Sequence, residues 1–175
     1  MYVLSIISFL LWAGFLLLAA MRFGVPAMVS DVYYQLQKCT GSEVVGDKRK
    51  QNYGWVFTAV MVTCAILMMV CMLDTGKGVQ FLAFIGCVGL MFVGFSPNYL
   101  DADDYPIHKV GALVAAAGCV GWCLSVCWVP TAVIALVYLL LISCSGDDER
   151  YNPVWYMAEV AGFLDVYITY WVCAL

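Results

Sequence analysis

The chain has 175 residues, 65% of them hydrophobic and 11% charged, against about 45–50% apolar and about 25% charged in ordinary globular domains. A water-soluble core does not absorb that much apolar surface, and a net charge of −4 with no basic patch argues against a nucleic-acid surface. The apolar residues fall in runs near the roughly 20 residues that cross about 30 Å of hydrocarbon. The expected fold is therefore all-α: a single transmembrane helical domain over residues 1–175, with about six spans and the lipid bilayer as its surroundings.

Residues 2–22, "YVLSIISFLLWAGFLLLAAMR", form the first expected span. Nothing basic precedes it and Arg22 follows, the charge order of an uncleaved anchor whose N-terminus lies outside. The link that follows contains "GVPAMVSDVYYQLQ". Here Ser30 or Asp31 is placed to cap a short interfacial helix, and Tyr33 with Tyr34 to seat it at the membrane boundary. The second span is expected at about 55–73, closed by the turn "DTGKG", and the third at about 79–96.

Next comes "SPNYLDADDYPIHKVGA", which holds three aspartates and the only histidine. The apolar run 107–144 is too long for one crossing at 1.5 Å per residue. Pro130 disfavours helix in the residue before it, so two helices are expected, about 107–128 and 131–145, with a tight turn at "WVP". A five-span reading, with this run broken or re-entrant, stays open. The last span, about 153–175, opens with Pro153 at a helix-start position.

Six spans place the links 23–54, 97–107 and 145–152 on one side. Arg22, Lys38, Lys48, Arg49, Lys50, Lys109 and Arg150 lie on or beside that side, and only Lys77 lies opposite. The positive-inside rule makes the charged side cytoplasmic and puts both termini outside.

The same side gathers the acids. Asp31, with Ser30 and the Tyr34 hydroxyl, reads either as an anchoring helix or as part of a headgroup or cation site. Asp101, Asp103, Asp104 and His108 read as a wet loop or as a polar site. One histidine with carboxylates suits Zn²⁺ or Mn²⁺, and carboxylates alone suit Mg²⁺ or Ca²⁺, but no calcium-loop spacing is present and the metal stays unknown. Together the three links read either as a small hydrated vestibule or as three solvated loops that share a side by parity, the second being preferred for "SGDDER".

The final span carries two ionisable residues, Glu159 and Asp165, and an acid inside a span is costly and functional by default. They point about 120° apart at 100° per residue, so they do not share one ligand. Asp165 shares a stripe with Ala158, Ala161, Gly162 and Thr169, a face suited to close helix packing, and is expected to be an internal polar lock. Glu159 aligns with Tyr156 and Tyr170 nearer the charged side.

Cys119, Cys123 and Cys127 form an i, i+4 stripe, and Met61, Met68, Met69 and Met72 crowd the second span. Soft-metal Cu(I) ligation is one reading; small, flexible packing residues are the preferred one. "GALVAAAGCVG" offers a smooth surface to another helix, and no cofactor motif is present.

"VPAMVSDVYY", "GFSPNY" and "PIHKVGA" together resemble small multi-pass membrane proteins of bacteria and their phages, and more distantly the six-pass DRAM/Sfk group. The resemblance covers about a quarter of the chain, implies a six-pass topology in a bacterial inner membrane, and implies no particular activity. Ser30, Asp31 and His108 also evoke the alkaline-ceramidase-like hydrolases, but a single histidine does not build their zinc triad.

The expected function is a polar, acidic pocket at the cytoplasmic-side face that binds or passes an ion, small solute or lipid headgroup. The residues expected to form it are Ser30, Asp31, Tyr34, Asp101, Asp104, His108 and Glu159. A metal-dependent enzyme acting on lipid and a membrane scaffold, with a homo-oligomer as a further form, are the alternatives.

Overall fold

A computed structural model describes residues 1–38, 53–144 and 154–174, and among these it is all-helical. The seven α-helices are α1 (Tyr2–Phe23), α2 (Asp31–Lys38), α3 (Gly54–Asp74), α4 (Gln80–Phe95), α5 (Asp104–Val126), α6 (Trp128–Cys144) and α7 (Val154–Thr169). α7 continues as a π-helix over Tyr170–Ala174. α1, α3 and α5 are long and apolar enough to cross a membrane, whereas α4 and α6 are shorter apolar helices. The third link, the basic cluster Lys48–Lys50 and Pro153 lie outside the described residues.

Successive long helices run in alternating directions. Ser8 of α1 bonds the Cys64 carbonyl of α3 at 3.3 Å, and the Cys87 and Met72 sulfurs of α4 and α3 are 3.9 Å apart. Val79, before α4, donates to Ser125 near the end of α5 at 2.9 Å. At the opposite end His108 of α5 meets Ser96 after α4 at 2.8 Å. Thr131 of α6 reaches Asp165 of α7, and Tyr138 reaches the Val154 carbonyl, so α6 returns antiparallel to α7.

The α5–α6 break falls at Cys127, which is extended at φ −161° and ψ 118°, and not after Trp128 as expected. Proline explains the shift. Pro130 sits in the first turn of α6, where its missing N–H has no intrahelical acceptor to lose, so the helix starts ahead of it. α5 likewise begins at Asp104, earlier than position 107, because Pro106 also fits a first turn.

α4 and α5 approach most closely, through the surface "GALVAAAGCVG" presents. A Cβ built on Gly89 would lie 2.5 Å from the Ala115 backbone nitrogen, and one on Gly118 would lie 2.6 Å from the Gly86 backbone. Only glycine permits these contacts.

Large apolar side chains cover the outside of the bundle as well as filling its core, and some polar groups are buried with them. Ser5, Ser8, Thr169 and Asp165 are buried, while Leu10, Leu18, Phe81, Leu113, Leu136 and Val172 are exposed. Trp12, Phe163, Tyr167 and Trp171 stack between α1 and the last helix. Tyr167 reaches Ser8 at 2.8 Å, and Trp171 donates to Ser5 at 2.9 Å.

Candidate functional site

The first and second links meet at one end of the bundle. Asp31 begins α2 and takes two donors, the Met28 N–H at 3.0 Å and the Tyr99 hydroxyl. Asp31 thus ties the start of α2 to the second link. Tyr34, one turn along, donates to Asn98 at 3.1 Å and accepts the Leu100 N–H at 2.8 Å. Burial pushes the Tyr34 phenol above its ordinary value, opposed by the Leu100 N–H. Tyr99 is held far above its ordinary value by burial first and then by the hydrogen bond it donates to Asp31.

His108 is buried and clamped from both sides. Nδ1 lies 2.8 Å from the Ser96 carbonyl, and Nε2 lies 3.1 Å from Ser30 Oγ. A carbonyl only accepts, so Nδ1 carries a proton; the neutral ring's Nε2 then accepts from Ser30. The Tyr99 ring lies 5.2 Å from the imidazole. Ser30 therefore bonds a distant helix and does not cap α2 through its side chain.

Glu159 of α7 reaches the same end, where Oε2 accepts the Val29 N–H at 2.6 Å. Nearby, Tyr156 donates its backbone N–H to the Ala27 carbonyl at 2.9 Å. The segment before α2 is thus pinned to α7 by backbone and side chain alike.

Ser30, Asp31, Tyr34, His108 and Glu159 come together as one polar layer. Asp101 stands apart: it is exposed, and its carboxylate accepts the Asp103 N–H at 3.1 Å, a local turn bond. Asp104 opens α5 without a hydrogen bond to the layer. Ser96, Asn98 and Tyr99 belong to it but were not among the expected residues. The signal for them was "SPNY" between two apolar helices, three polar residues around the buried Pro97.

The polar groups of the first two links bond one another at this end of the bundle. Beneath them is a cavity of about 470 Å³ between α3, α4, α5 and α7, within the roughly 300–1,000 Å³ of small-molecule sites. Ser30 and Glu159 line its polar end; Met61, Met68, Leu90 and Phe163 are among its apolar walls. Gly162 also faces it, and a Cβ added there meets nothing within 4 Å. The expected tight packing of the Asp165 stripe therefore fails at Gly162. Asp165 itself is buried, with Oδ1 accepting from Thr131 at 3.1 Å and Thr169 at 3.3 Å.

Among the described residues, no group of three or more His, Cys, Asp or Glu comes together to hold a metal ion. No protein-family model, curated protein or solved structure matches the chain.

Proposed function

We propose that this chain is a six-span integral membrane protein that binds a lipid molecule, with the headgroup under Ser30 and Glu159 and an acyl chain in the cavity below. The observation that carries this reading is the cavity itself: apolar walls with a carboxylate and a hydroxyl at one end. Its dimensions suit a membrane lipid. From Lys109 to Val120, both of which line it, α5 advances about 16 Å, close to half of the roughly 30 Å hydrocarbon core, or one leaflet.

The alternating helices and the apolar exterior support the six-span arrangement. The basic residues on the link side support a cytoplasmic placement of the polar layer, with both termini outside. A metal-dependent lipid enzyme has less support, because both ring nitrogens of the sole histidine are already engaged.

Gly162→Leu tests the proposal. A Cβ at Gly162 meets nothing within 4 Å and the position lines the cavity, so the added side chain is expected to fill the site with little cost to folding. Native protein purified in mild detergent should retain about one lipid per chain, and the variant should lose it. Equal lipid retention by both proteins would sink the reading.

A further inference from the structure

We propose that the preferred occupant of the cavity is a long-chain amphiphile with a cationic amine head. This rests on the reading of the cavity as a lipid site and adds the chemistry of the headgroup.

The polar end presents acceptors. Glu159 spends Oε2 on the Val29 N–H, and its other carboxylate oxygen has no hydrogen-bond partner among the described residues. The Ser30 hydroxyl gives its proton to His108 Nε2, which leaves its lone pairs to accept. A head seated between these atoms must donate. Glu159 is half-buried and has no Lys or Arg partner among the described residues, and a carboxylate drawn partly out of water is costly without a counter-charge. Among the described residues Lys109 is the one cation lining the cavity, but its ammonium sits 5.7 Å from the centre of the Tyr105 ring, on the exposed side of its own helix. Its stem, not its charge, serves the cavity. A ligand amine supplies both the donors and the missing positive charge, whereas a carboxylate or phosphate head meets like charge and acceptors alone.

The route of entry points to a ligand already in the membrane. Ala112, Leu113 and Ala116 of α5 and Trp155 of α7 line the cavity and are also exposed on the bundle's outer surface. The opening between α5 and α7 therefore faces lipid, and its α5 rim is built partly from alanine. A chain slides in sideways, tail toward Cys119 and Tyr167, head toward Ser30.

Equilibrium binding of radiolabelled tetradecylamine to the full-length protein in a nonionic amphipol tests this, with tetradecanol, myristate and methylamine as competitors. The expected result is displacement by tetradecanol about 30-fold weaker than by unlabelled tetradecylamine, the scale of an enclosed charge pair, and weaker still by myristate. Methylamine, which has the head without the chain, should not displace it. Glu159→Gln should shrink the preference for amine over alcohol from about 30-fold to near parity, while Gly162→Leu should abolish binding of all three chains. Equal affinity for amine, alcohol and carboxylate, still blocked by Gly162→Leu, overturns the amine assignment and leaves the lipid site standing. Displacement by methylamine at tetradecylamine concentrations overturns it in favour of a soluble amine. Chain binding that survives Gly162→Leu overturns the amine assignment and the lipid site together.

Discussion

Glu159 accepts the backbone N–H of Val29 at 2.6 Å, a bond that spans 130 residues of sequence. It fastens the segment before α2 to the last helix, and the carboxylate that does so also lines the cavity. Structure and binding are therefore coupled in one side chain, and two substitutions separate them. Glu159→Gln retains an acceptor for Val29 and should leave the midpoint of thermal unfolding in detergent nearly unchanged. Glu159→Ala leaves the Val29 N–H without its acceptor and should cost about 1–3 kcal/mol. Differential scanning fluorimetry of both variants distinguishes them; equal loss in the two would mean that the carboxylate's charge, not its acceptor, holds the segment.

Much of this arrangement was legible in the sequence, for physical reasons. Hydrophobic run length located the helices, and the parity of the links brought Ser30, Asp31 and His108 to one end. Two things were hidden. Tyr99 looked like an ordinary loop residue, because its bond to Asp31 depends on how two links fold over each other. Gly162 looked like a packing residue, because small side chains mark both a tight helix contact and the wall of a cavity, and spacing alone does not separate them. Asp101 looked no different from Asp31 in the sequence, yet its carboxylate accepts the Asp103 N–H within its own turn and does not join the layer.

The two phenols of the polar layer make stability sensitive to alkali. Tyr34 and Tyr99 are both raised, with burial the largest cause in each. Below about pH 10, the ordinary phenol value, folded and unfolded chains both keep these protons and this contribution is fully present. Above it the unfolded phenols ionise first, the folded state binds more protons, and stability falls as pH rises toward the folded values. Thermal unfolding midpoints between pH 8 and 11 should therefore decline above about pH 10, and Tyr99→Phe should decline less steeply. Parallel profiles for native protein and Tyr99→Phe would show that Tyr99 does not set the slope.

Asp165 is a polar lock between α6 and α7, with Oδ1 shared by Thr131 and Thr169. Asp165→Asn keeps a carbonyl oxygen in that position, so it should cost no more than about 0.5–1.5 kcal/mol. Asp165→Leu removes the acceptor for both hydroxyls and forces a branched chain into a site that is 3% exposed. It should cost more, about 2–4 kcal/mol, from unpaired hydroxyls and overpacking together. Lipid retention by Asp165→Asn should match that of the native protein. Loss of binding without loss of stability would instead place the working carboxylate at Asp165, in mid-helix.

Gly89 and Gly162 allow the same change to be tried in opposite surroundings. A Cβ on Gly89 would meet backbone atoms, the Ala115 nitrogen at 2.5 Å and the Gly111 carbonyl oxygen at 2.7 Å. Backbone does not swing aside as a side-chain tip does, so α4 and α5 must separate along their closest seam. Gly89→Ala should cost about 1–3 kcal/mol, the usual range for overpacking. At Gly162 the same methyl meets open cavity space, and alanine is the better helix former by about 1 kcal/mol. Gly162→Ala should therefore be neutral or stabilising in the unfolding assay, with lipid retained because one methyl leaves most of the cavity open. The contrast isolates close approach from helix propensity, since propensity favours alanine at both positions. If Gly162→Ala destabilises as much as Gly89→Ala, α7 packs tightly there and the cavity between α3, α4, α5 and α7 is closed in the membrane.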